Sequence, residues 1–97
     1  MSYSFHPAAE SEHLESVAYY ESKRPGLGAT YLAEFEKSMA DVCEAPNRYP
    51  IKMEPDIRRK IMKKFPFSIL YRVASGSVQI LAIAHHRRRP AYWLGRL

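Results

Sequence analysis

The sequence predicts an α+β fold: an N-terminal strand, then an antiparallel helical hairpin packed on an antiparallel sheet, in the order β-α-α-β-β-β. Three observations carry this. Apolar residues recur with helical spacing before residue 46, they alternate after residue 56, and a proline-rich stretch separates the two regimes. With 97 residues, 46% of them hydrophobic and 12% aromatic, the chain is expected to form one domain over residues 1–97 with one packed core.

Tyr3 and Phe5 flank Ser4 in a short alternating run, an expected edge strand, and Pro7 suits the first position of a helix. No breaker intervenes from Ala8 to about Lys23. Leu14, Val17 and Ala18 share one face of this helix, while Glu10, Glu12 and Glu15 sit near the positive end of its dipole. Arg24-Pro25-Gly26 ends it. After Gly28, the residues Leu32, Phe35, Met39 and Val42 form the clearest helical stripe, with Cys43 beside them, until Pro46 stops the second helix. Two helices joined by so short a turn must run antiparallel. Pro46, Pro50 and Pro55 then predict a segment without regular structure.

Beyond it, Ile57 to Phe65 interleaves apolar and basic residues, Phe67 to Val73 alternates, and Ser75-Gly76 supplies a turn. Val78 to Ala84 is apolar on both faces except at Gln79, so it is expected inside the sheet and covered on both sides. The stripe of Leu32, Phe35, Met39 and Val42 should pack on Ile69, Tyr71, Ile80 and Ala82.

Charge divides the chain sharply. Residues 1–56 carry five Lys or Arg against ten Asp or Glu, whereas residues 57–97 carry ten Lys or Arg and no carboxylate. Cations this dense repel one another, and a polyanion is the natural source of the missing counter-charge. Cys43 is the only cysteine, which excludes an intrachain disulfide and fits a reducing compartment. Met1 to Pro7 lacks the pattern of an export signal, and no apolar run approaches bilayer thickness. A cytoplasmic protein without a membrane partner is expected.

The chemistry concentrates at the end of the last strand, where His85-His86-Arg87-Arg88-Arg89 leaves the core and Tyr92 and Trp93 follow. Arginine offers a planar fork to phosphate and an aromatic ring offers a stacking surface to a base. Arg59, Lys60, Arg87, Arg88 and Arg89 are therefore candidate nucleic-acid contacts. Adjacent strand residues face opposite sides, so only one of the two histidines can join the basic surface. Metal-independent RNA cleavage needs a base, an acid and cations for the developing charge, roles that His86, Tyr92 and Lys63 can fill. Trp93 is expected in the core, pinning the tail to the sheet. His6, His13, His85, His86 and Cys43 lack metal-ligand spacing, no glycine loop cradles a phosphate, and no serine, Ser68 included, sits in a context that marks a nucleophile. No metal or cofactor is implied. Arg59, Lys63, His86, Arg88 and Tyr92 are expected to form the functional surface.

Five stretches in order, Tyr19-Tyr20-Glu21, Pro25-Gly26-Leu27-Gly28, Pro46 to Pro50, Phe65 to Tyr71 and His85 to Trp93, resemble the RelE/ParE toxins of type II toxin-antitoxin systems, often described as plasmid stabilisation proteins. The resemblance implies the fold inferred above and a cognate antitoxin whose helical segment wraps the toxin. It also implies growth inhibition, with messenger RNA cleavage on the ribosome, the RelE-like activity, as the leading expectation and poisoning of DNA gyrase, the ParE-like activity, as the alternative. A plain nucleic-acid-binding module is the third reading. Arg59, Lys60 and Lys63 match the basic residues of the ribonucleases' second strand, and Tyr92 matches their late tyrosine. Ser68 and His86 stand where those enzymes carry arginines, a departure that bears on ribonuclease activity.

Overall fold

The computed structural model describes residues 1–97. In chain order the elements are β1 (Tyr3–Phe5), α1 (Pro7–Lys23), α2 (Leu27–Glu44), a single 3-10 turn (Pro46–Arg48), β2 (Ile51–Met53), β3 (Ile57–Ile61), β4 (Phe67–Ala74), β5 (Ser77–His85) and a final 3-10 turn (Leu94–Arg96). The strands form one sheet in the order β1-β5-β4-β3-β2, with the helical hairpin across one face. β1 runs parallel to β5, so the sheet is mixed and not purely antiparallel as the sequence suggested. The expected irregular segment also holds β2, because Pro50 and Pro55 flank three residues that pair with β3 as an edge strand.

Local chemistry sets the helix ends. Pro7 occupies the first turn of α1, and the His6 ring caps it by accepting the Ala8 N–H at 3.0 Å. Gly26, at φ 89°, turns the chain into α2, which has no acidic residue in its own first turn. Glu21 of α1 supplies the missing negative charge, accepting the N–H groups of Gly26 and Gly28 at 3.0–3.1 Å. The helices meet closely at Gly28, where an added Cβ would lie 2.8 Å from the Val17 carbonyl oxygen and 2.9 Å from Glu21 Cβ.

That contact sets a helix phase which the apolar spacing misjudged. α1 turns Ala9, His13 and Ser16 inward and leaves Leu14 61% exposed and Ala18 in solvent, while Val17 is half-buried against the core. In α2, Tyr31 is fully buried with Phe35, Met39 and Val42, whereas Leu32 is 37% exposed. A ring of aromatic side chains fills the space between the layers. Phe35 stacks on Phe5 at 5.8 Å and meets the His13 ring at 4.3 Å.

The sheet carries a second surprise. Leu70 pairs with Ala82 but Tyr71 pairs with Ile80, so Leu81 is an extra residue that breaks the alternation of β5. Ile69, Tyr71, Val78, Ile80 and Ile83 face the helices; Leu70, Leu81 and Ala82 lie on the opposite face with Ile57 under Trp93. Ala82 therefore does not meet α2. Ser75 and Gly76, both at positive φ, close the β4–β5 hairpin. β3 ends at Ile61, short of the expected Phe65, because residues 62–66 turn tightly with Lys64 at φ 69°.

Two predictions follow from the core. Phe35→Ala should lower the free energy of unfolding by about 3 to 5 kcal/mol in urea titrations, since the ring is fully enclosed. Burial among Phe5, Phe35 and Tyr31 pulls the pKa of His13 below its ordinary 6.5, against the opposing pull of the Glu36 and Glu10 carboxylates. The unfolded chain then binds the proton more readily, so this contribution is fully present above about pH 6.5 and declines as pH falls toward the depressed value. Thermal unfolding midpoints should drop in that window for the natural sequence, and His13→Phe should remove that drop.

Candidate functional site

Two concavities flank the C-terminal end of β5. The first, of about 330 Å³, lies on the face of the sheet away from the helices and is lined by Lys52, Arg59, Ile61, Ser68, Leu70, Ala84, the two histidines, Arg88, Arg89 and the tail from Pro90 to Trp93. The second, of about 680 Å³, runs between α1 and the sheet end over Tyr19, Tyr20, Pro66, Phe67, Ile83 and His85, with Glu12, Glu15, Arg87 and Arg88 at its margins. The second is larger, but the first collects the cations and contains no carboxylate.

Strand alternation explains this sorting. Arg59 pairs with Leu70 and shares its outward face, whereas Arg58 and Lys60 point to the helical side. Arg58 donates to the Tyr49 and Asn47 carbonyls at 2.7 and 3.3 Å, tying down the turn before β2, and the Lys60 ammonium rests 4.8 Å from the Tyr49 ring. Of the expected nucleic-acid contacts, Arg59, Arg88 and Arg89 thus meet in one cleft, Lys60 lies on the other face, and Arg87 borders the second groove. Lys63 is exposed in the turn after β3 and lines neither concavity.

The histidines separate as strand geometry requires. His85 packs edge-on against Phe67 at 5.1 Å, and its Nδ1 accepts the Arg87 N–H at 3.0 Å, a strand-end role. His86 turns to the basic cleft, where its Nε2 lies 3.1 Å from the Oγ of buried Ser68. The sequence marked Ser68 only as a departure from a family arginine, and it becomes the partner of His86 through the pairing of β4 with β5.

Glu12 is the residue the sequence hid most completely. Its carboxylate receives both guanidinium nitrogens of Arg96 at 2.8 and 2.9 Å, the Tyr92 hydroxyl at 2.7 Å and the backbone N–H of Ile83 at 3.0 Å. Burial alone would raise its pKa, but the hydrogen bonds from Arg96, Tyr92 and Ile83 outweigh burial and hold it below the ordinary 4.5. Burial, and then the Glu12 carboxylate, push the Tyr92 phenol well above its ordinary range. Tyr92 therefore donates its proton into the fold, while its ring supports the Arg88 guanidinium at 3.9 Å. The sequence marked Glu12 only as one of three acidic residues near the positive end of the α1 dipole, and the structure places it beside the inward stripe of Ala9, His13 and Ser16.

These contacts fasten the tail, and Trp93, buried and the only tryptophan, reports on it. With a depressed pKa, ionised Glu12 contributes its full stabilisation above about pH 4.5 and loses it as pH falls through the lowered value. Trp93 emission should shift to the red over that acid range. Glu12→Gln should show part of the shift at neutral pH; an emission maximum unchanged by the substitution would contradict the tail assignment.

No curated protein matches significantly. Among solved structures, a chain of the chromosomal ParDE TA system from P. aeruginosa superposes with a TM-score of 0.75 at 20% identity, covering 88% of this chain and 95% of that one. At that identity the likeness speaks for the fold. The family model for the ParE toxin of type II toxin-antitoxin system, parDE, matches residues 3–90. The match spans every strand and both helices, and the chain belongs to the ParE toxin family.

Proposed function

We propose that this chain inhibits growth as a non-enzymatic poison of DNA gyrase, engages the DNA of that target through its basic cleft, and is neutralised by a cognate antitoxin. The observation that carries the choice of target is the state of Tyr92. A tyrosine that serves proton transfer must present its hydroxyl to the substrate, and here the hydroxyl is bound to Glu12 with its pKa raised. His86 does lie in the cleft, but Lys63 stands outside it and Ser68 occupies the place of a family arginine. Membership on the ParE side of the superfamily supports the same reading, since ParE-like toxins are those associated with gyrase.

The cleft suits phosphate because its cations lack internal partners. Lys64 with Glu34 and Arg96 with Glu12 are the two ion pairs of the molecule, so Lys52, Arg59, Arg88 and Arg89 keep their charge for an external anion. An antitoxin with acidic residues would meet the same complementarity. A cytoplasmic site of action follows from either target.

Expression without the antitoxin tests the proposal. DNA breaks should accumulate while messenger RNA stays intact, and the purified chain should inhibit gyrase supercoiling, with both effects abolished by the cognate partner. Fragmented messenger RNA in cells with intact DNA would reverse the assignment and restore the ribonuclease reading, with His86 as its base.

A further inference from the structure

Arg88 is exposed and borders both concavities, so its orientation decides which of them receives its charge. A free arginine samples many rotamers and loses that freedom when it binds. Here the guanidinium lies on the Tyr92 ring, the Tyr92 hydroxyl is held by Glu12, and Glu12 is held by Arg96 and the Ile83 N–H. Arg96 also donates to the Leu81 carbonyl at 3.0 Å, so the chain of contacts ends on sheet backbone. The bidentate pairing with Arg96 compensates the charge of Glu12, which leaves the charge of Arg88 available to an outside ligand.

We propose that Glu12 is a positioning residue for the basic cleft: acting through Tyr92, it fixes the Arg88 guanidinium at the cleft margin for one phosphate contact without touching the ligand. This rests on the reading of the cleft as a DNA contact. The sign of the effect separates positioning from electrostatics. Removing a carboxylate near a basic surface should tighten polyanion binding on Coulombic grounds, whereas loss of a positioning residue should weaken it.

The experiment is fluorescence anisotropy with a labelled duplex DNA at several salt concentrations, using the full chain, Glu12→Gln, Tyr92→Phe, Arg88→Ala and the Glu12→Gln/Arg88→Ala double variant. Circular dichroism selects variants that remain folded, and Tyr92→Phe, which keeps the ring, is the milder probe. Glu12→Gln and Arg88→Ala should each weaken binding about tenfold and lower the slope of log K against log salt by about one. The double variant should bind no more weakly than Arg88→Ala alone. Binding by Glu12→Gln as tight as or tighter than the natural sequence, or additive losses in the double variant, would overturn the proposal. If the natural sequence itself does not bind DNA, the DNA reading falls and growth inhibition decides the positioning role: equal attenuation by Glu12→Gln and Arg88→Ala supports it, and attenuation by Arg88→Ala alone overturns it.

Discussion

The carboxylate of Glu12 stands in for a missing length of β-strand. β1 is only three residues long and pairs with Val78 to Ile80, so the edge of β5 beyond Ile80 has no strand beside it. A buried backbone group left without a partner is costly. Glu12 accepts the Ile83 N–H and Arg96 donates to the Leu81 carbonyl, so two side chains bonded to each other complete the edge. Because one comes from α1 and the other from the tail, the repair also joins three parts of the chain. The tail is thereby brought over Leu81 and Ala82, where Trp93 covers the outer face and the chain before it walls the cleft.

The ten cations of residues 57–97 are not equivalent, although they look so in a string of letters. Arg58 is consumed by backbone carbonyls, Arg72 by Gln79, Lys64 by Glu34 and Arg96 by Glu12, and Lys60 lies on an aromatic ring. These side chains bind the protein to itself. The cleft cations have no such internal acceptor, with Arg88 differing only in its stacking on Tyr92. Structural and available cations are thus sorted by strand parity and by the turn after β5.

Much of this architecture was legible in the sequence because it rests on local chemistry: the change from helical to alternating period, Pro7 at a helix start, the Pro25-Gly26 turn and the Ser75-Gly76 hairpin. The phase of each helix was not. Leu32 and Tyr31 are neighbours, and which of them enters the core is settled by the close approach at Gly28, a contact between distant positions. The inserted Leu81 likewise leaves no mark in an apolar strand, yet it moved Ala82 to the other face. Among the site residues, Arg59, His86, Arg88 and Tyr92 could be grouped from their nearness to the last strands. Separating Lys60 from Arg59 required strand parity. Glu12 was beyond reach, since its partners Ile83, Tyr92 and Arg96 are at least 71 residues away.

The separation of sign along the chain becomes a separation in space once the helices lie on one face of the sheet. Most carboxylates ride on the hairpin, and the free cations ring the cleft on the opposite side. Such a body is an electric dipole as well as a net positive charge. In the field of a polyanion it experiences a torque that turns the cleft forward and the helices away while the two surfaces are still apart. Approaches that would present the acidic back are thereby reoriented before collision, so productive encounters make up a larger share of all encounters than the small area of the cleft alone would give.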